Sequence, residues 1–304
     1  MPSSVLAGVN VVEVPGTTIT EFFGNASTKD ASLSAAHVKI TAPVTNPWQT
    51  PEFAEHIMMI AGEAHVEHSG GTAILKAGEG LILPAGCRVR WIFPGPAEYV
   101  PICLPAFSPE NVHREEGDAA PVQDAPLGDM RIKATNTIAP VSQSNGHAYK
   151  ILGVWYHQDE VEVPAPVVLP PVDVVKAPAL TITEFFGNVA SKECHISACV
   201  AKVDEPCSEA WQKPEFAEWV LVLSGTLHLE HATGITKVPA GSGVFLAANE
   251  RVKWIWPEAC VYVPICMPAF TPDGCHREAE EGSAKDVDPS TMERLTQLHT
   301  AVGA

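Results

Sequence analysis

The chain has 304 residues, 46% of them hydrophobic, and a formal net charge of −17. This length predicts two domains with ordinary cores, and the charge argues against nucleic acid and anionic membrane surfaces as partners. No apolar run reaches membrane-spanning length, and the opening MPSSVLAGVNVVEVPG lacks the basic and apolar regions of a secretory signal, so a soluble, cytoplasmic protein is expected.

Taken in chain order, the predicted elements are β-strands. Residues 9–14 alternate weakly and stop at Pro15. Residues 18–23 are β-branched and aromatic and stop at Gly24-Asn25. An apolar run at 55–61 ends at Gly62, and 64–68 alternates until Gly70-Gly71 turns the chain. Residues 72–76, 80–83, 88–93 and 98–104 follow, separated by Gly and Pro. Short strands at this spacing predict an antiparallel sandwich or barrel.

The same text then recurs at one constant offset. ITEFFGN at 19–25 returns at 182–188, and WQTPEFAE at 48–55 returns as WQKPEFAE at 211–218. YVPICLPAF at 99–107 returns as YVPICMPAF at 262–270, and HRE at 113–115 returns at 276–278. About half the positions match, so the chain is a duplicated domain; solenoid units are far shorter. The predicted organisation is a first barrel at 9–115, a Pro-rich linker at 116–171, a second barrel at 172–278 and a tail at 279–304. Within the linker, HAYKILGVWYH at 147–157 reads as a strand for a sheet edge. In the tail, 288–302 reads as a capped helix with Met292, Leu295 and Leu298 on one face.

The eight cysteines divide two to six between the copies, and only Cys103 and Cys266 correspond. A disulfide framework would repeat its pairs, so free thiols are expected. The HRE segments at His113 and His276 lie just beyond each last strand. They either fold back across a barrel mouth and bring His and Arg to an anionic ligand, or close the barrel's end as a salt-bridged clasp. By the period of two, His65 and Glu67, with His228 and Glu230, face solvent.

Two motifs link these copies to a known family. A Glu is followed seven positions later by a strand-ending Gly at Glu55–Gly62 and Glu218–Gly225. A second block, Gly78-x5-Pro84-x-Gly86, follows; in the second copy it starts at Gly241 but reads Ala247 and Asn249. In these features the chain resembles the cupin superfamily, and its PEFAE and WVLVLSG segments are similar to the ethanolamine-utilisation-type branch. The PAF…HRE ending resembles small bacterial cupins. The resemblance implies an all-β fold of two tandem jelly-roll (cupin) barrels, with the Pro-rich linker and a short C-terminal helix. Such a pair of barrels is a monomer with an internal pseudo-dimer, or part of a homo-oligomer.

A metal-binding cupin carries His-x-His before the Glu and a last His after the second block. Here those positions are Gln49, Pro51 and Val89 in one copy and Gln212, Pro214 and Val252 in the other. A carboxylate with a neutral amide is a poor transition-metal set, so no cofactor is expected. Glu55 and Glu218 would point inward, against Trp91 and Tyr99 or Trp254 and Tyr262, where burial raises a carboxyl pKa and suits it to acid–base work. The expected site is therefore Glu55 and Glu218 as the reactive groups. Gln49, Trp91, Tyr99 and His113, or Gln212, Trp254, Tyr262 and His276, would contact a small polar ligand, a sugar or an organic acid. A lyase or isomerase with a Glu base and a weakly held divalent metal is one alternative; an assembly scaffold is another.

Overall fold

The computed structural model describes residues 4–115, 148–151, 154–157, 163–278 and 289–300. Each copy folds as a jelly roll of two facing sheets, one of seven strands and one of four. In the first barrel the large sheet runs Val167–Leu169, Gly80–Leu83, Ala54–Ala61, Ala97–Leu104, Ser34–Ile40, Thr17–Phe23, Val9–Val14. The small sheet runs Val44–Thr45, Val89–Phe93, Glu63–His68, Gly71–Lys76. The second barrel repeats this order, and every ladder in both is antiparallel.

The predicted strands stand where the sequence places them, within a residue at each end. Ser34–Ile40 was not anticipated, although it lies between Ala97–Leu104 and Thr17–Phe23 in the sheet. Its SAAHVKI has two small residues of low strand propensity; pairing on both edges holds it. The Gly closing each Glu-containing strand is required by space and by backbone. Gly62 and Gly225 have φ of +76° and +73°, and a Cβ would come within 2.2 and 2.1 Å of a carbonyl oxygen. At the second block the change from Gly86 to Asn249 leaves the backbone turn intact. Gly86 (φ +77°) and Asn249 (φ +66°) adopt the same left-handed turn, and both N–H groups donate to a Pro carbonyl at 2.6 Å. Asn tolerates that conformation better than most residues.

The two barrels exchange strands. Val5–Ala7, ahead of the first barrel, pairs with Ser242–Leu246 of the second, while Val167–Leu169, ahead of the second, pairs with Gly80–Leu83 of the first. The registers Val5–Val244 and Val168–Leu81 obey the same offset that relates the sequences. Each exchange covers an edge that would otherwise be an open hydrogen-bonding template. The 147–157 expectation is corrected in this respect: Ala148–Ile151 and Val154–His157 pair with each other, and Val167–Leu169 is the linker's contribution to a barrel edge.

The large sheets are buried on both faces, which explains their nearly continuous apolar runs. Along Ala54–Ala61, Ile57 and Met59 enter the barrel core, while Met58 and Ile60 enter a second core against the other barrel. That shared core joins Phe22, Phe23 and Ile102 to Phe185, Phe186 and Ile265. On the same outward face His56 reaches Glu193 of the other copy, with Nε2 at 3.0 Å from Oε2. The Pro289–Thr300 helix lies against the Val172–Lys176 strand, with Leu295 2% exposed in the second barrel's core.

Candidate functional site

The strand alternation that sends His56 and Trp219 outward sends Glu55 and Glu218 inward. Glu55 lies opposite Cys103 and Leu83, and Glu218 opposite Cys266 and Leu246. Each carboxylate has one oxygen near its paired thiol, Cys103 Sγ at 3.8 Å or Cys266 Sγ at 3.6 Å. The other oxygen, Oε2 in both, is buried with no partner. Burial pushes both carboxyls up to about 7, against the opposing pull of the thiol and of an arginine, Arg114 or Arg277. Burial also raises the phenols of Tyr99 and Tyr262, with the neighbouring Glu adding to it.

The HRE segments deliver those arginines. Each runs back antiparallel to the strand before the Glu: Glu115 N donates to Trp48 O at 2.8 Å, and Glu278 N to Trp211 O at 2.7 Å. Arg114 and Arg277 bridge to Gln49 and Gln212. Successive side chains then alternate. His113 and His276, both in left-handed conformations (φ +46° and +47°), turn out to solvent and meet Glu52 and Glu215 at 2.6 and 2.7 Å. Glu115 and Glu278 also turn outward, onto Arg88 and Arg251, whose guanidinium groups lie 3.9 Å from the Trp48 and Trp211 rings. Between them Arg277 turns inward, while Arg114, at the equivalent position, stays exposed. The two predicted ligand histidines therefore belong to an outer clasp, and the structure does not bring them to Glu55 or Glu218. Of the His and Arg that HRE was expected to bring to a barrel mouth, the alternation turns Arg277 to the interior of the second barrel and His276 away from it.

Trp91, Phe93 and Tyr99 stack in the first barrel, with Tyr99 6.3 Å from Trp91 and 5.4 Å from Phe93. In the second, Trp254 and Trp256 lie 5.7 and 5.6 Å from Tyr262. Gln49 and Gln212 are buried at the same end, and Gln212 Oε1 accepts a hydrogen bond from Cys275 Sγ at 2.7 Å. The second barrel holds a partly open cavity of about 80 Å³, lined among others by Gln212, Glu218, Trp254, Tyr262 and Arg277. That volume exceeds what one water needs several-fold. Leu295 of the C-terminal helix closes part of its wall.

Arg277 is the least satisfied group there. Its Nη2 donates to Glu209 Oε2 at 3.4 Å, while Nε and Nη1 are buried without a partner. Desolvation disfavours its charge, but Glu209, Cys275 and Glu218 together outweigh that, so it stays cationic. The first barrel differs: Asn46 stands where the second has Glu209, and Arg114 is exposed.

These donors do not suit a transition metal. In each barrel the inward Glu lies near an arginine, whose charge opposes a cation; in the second barrel Glu209 is taken by Arg277 and Glu184 by backbone N–H groups, and Val89 and Val252 are buried in the cores. Among the described residues no group of three or more His, Cys, Asp or Glu is placed to hold an ion. All eight cysteines are free thiols, and no described helix is long and apolar enough to cross a membrane.

Comparison with solved structures identifies the fold as that of a bicupin. Oxalate decarboxylase from Bacillus subtilis at pH 4.6 matches with a TM-score of 0.59 and 15% identity, over 90% of this chain and 77% of that one. A mutant of the same enzyme matches with a TM-score of 0.58 and 13% identity, over 88% and 78%. A further structure of that enzyme, studied for its Mn(II) centres, gives the same values. Among curated proteins, the endoribonuclease YbeY of Myxococcus xanthus is 36% identical over 102 residues, 33% of this chain. The chain spans about a third of that relative's length. No family model matches.

Proposed function

We propose that this bicupin binds a small organic acid in its second barrel, without a metal, and that Arg277 anchors the ligand's carboxylate. The observation that carries the reading is the pair of buried, unpartnered nitrogens of Arg277 in a cavity-lining position. Buried donors left unmet are costly, and a carboxylate is the group that guanidinium N–H donors bind through charge-assisted hydrogen bonds. Gln212, Trp254 and Tyr262 form the wall around the bound acid, and Glu218, as a neutral acid, donates to it. In this reading the first barrel, with Gln49, Glu55, Trp91 and Tyr99, is the more open and secondary pocket.

The test is calorimetric titration of the full chain with propionate and lactate in EDTA-containing buffer, for the native protein and Arg277→Met. Binding that survives EDTA and weakens at least tenfold in the variant is expected. Absence of binding, equal binding by R277M, or binding that EDTA abolishes and Mn²⁺ restores would overturn the proposal. A second reading, a lyase or isomerase with Glu218 as general acid–base, is favoured by one observation: its carboxyl is pushed up to about 7, near neutrality.

A further inference from the structure

The second pocket holds more acid than an organic anion requires. Glu184, Glu209 and Glu218 all line the cavity that Arg277 lines. Two of them are occupied. Glu184 Oε1 accepts the N–H groups of Val189 and Ala190, both at 2.8 Å, and so braces the loop after its own strand. Glu209 is the partner of Arg277. Glu218 is not occupied: it is 7% exposed, a thiol approaches Oε1, and Oε2 has nothing.

The pocket therefore presents two unmet needs of opposite sign. Arg277 and Glu218 are close enough to influence one another electrostatically, yet they form no hydrogen bond. Arg277 Nε and Nη1 are unpartnered, Nη2 goes to Glu209, and Glu218 Oε2 is unpartnered. In a desolvated site an acid and a guanidinium that do not meet are each costly. A single molecule with the two charges in the reverse order satisfies both. The rest of the wall suits the positive end, because Phe216, Trp254, Tyr262 and Phe270 bring four aromatic rings to the same cavity, and ring faces attract ammonium groups.

We infer that the ligand is a small zwitterion, a carboxylate joined by a short carbon link to an ammonium or methylated ammonium group. Its carboxylate lies on Arg277, and its cationic nitrogen lies on Glu218 within the aromatic wall. The inference rests on the organic-acid reading of the same pocket. It also gives Glu209 a role: by sharing Arg277 it lowers the pocket's net attraction for a plain anion and favours a ligand that carries a positive charge. The first barrel keeps the Glu and the aromatic residues but has Asn46 in place of Glu209 and an exposed Arg114, so the zwitterion site is the second barrel's.

Isosteric pairs separate this inference from the reading beneath it. Glycine and propionate have the same heavy-atom skeleton, as do N,N-dimethylglycine and 3-methylbutyrate, and trimethylglycine and 3,3-dimethylbutyrate; each pair differs in one cationic nitrogen for carbon. Titrated into the full chain at pH 6, at least one zwitterion should bind tenfold or more tighter than its carbon partner. Burial pushes Glu218 up to about 7, so it is mostly protonated at that pH, and a cation placed beside it expels the proton. Titration in buffers of different ionisation enthalpy should therefore show proton release with the zwitterion and none with the carbon acid. Glu218→Gln should bring the two members of the pair to within about twofold and abolish the release. Tighter or equal binding of every carbon acid would overturn the inference and leave the organic-acid reading standing. Failure of all six compounds would overturn both. An unchanged preference in E218Q would overturn the assignment of the nitrogen to Glu218.

Discussion

Replacing Glu218 with Gln should make the ligand-free protein more stable at alkaline pH and leave it nearly unchanged in acid. Glu218 takes its proton near pH 7 in the fold, against 4.5 for the ordinary group. Desolvation is the main cause; Glu209 reinforces it, and Cys266 and Arg277 oppose it. A folded pKa above the unfolded one means that the fold binds the proton more tightly. The associated stability is fully present below pH 4.5, declines as pH rises, and is gone once pH has passed 7. Each tenfold difference in proton affinity is worth about 1.4 kcal/mol, so ionising Glu218 costs the fold about 3 kcal/mol by pH 8. Gln keeps the shape and still accepts from Cys266, and it has no charge to desolvate. Urea unfolding of both proteins at pH 4.5, 6, 7 and 8 should show a stability difference that starts near zero and grows to about 3 kcal/mol in favour of the variant. Because Glu55 and Glu184 are also pushed up to about 7, the native protein alone has a steeper pH dependence; only the difference isolates Glu218. A difference that does not vary with pH, or a variant less stable at every pH, would refute the placement of this carboxyl in a desolvated interior.

The contact between barrels and the thiols give two more tests. His56 and Glu193, each with a side chain 4% exposed, meet across the shared core, so His56→Phe leaves Glu193 buried and alone and should cost about 3 kcal/mol or more. E193Q keeps a hydrogen bond to the imidazole and should cost less than half as much in the same denaturation assay; equal losses would mean that the pair is not what holds this contact. Thiol counting in denaturant without reductant should find all eight cysteines reactive, and four or fewer would mean at least two disulfides and a different arrangement of the second copy.

What the amino-acid sequence determines here is whatever a short stretch encodes by itself. Strand alternation, turn residues and the repeated segments establish an all-β chain of two like halves. The parity of Ala54–Ala61 and Ala217–Ser224 sends Glu55 and Glu218 inward. Such features are written in residues two to seven apart, because pleat and turn geometry are local. What the tertiary structure decided is non-local. The sequence does not say that Val5–Ala7 and Val167–Leu169 cross to the opposite barrel, since a short apolar strand fits any open edge. Nor does it say that HRE folds back beside Gln49 and Gln212, a pairing that sorts His113 and His276 outward and Arg277 inward. The partnership of Glu209 with Arg277 spans 68 residues, that of His56 with Glu193 spans 137, and Leu295 reaches the second cavity from the far end of the chain. Such contacts depend on where the closed barrels bring distant segments together, and that placement is set by the packing of two whole sheets against each other.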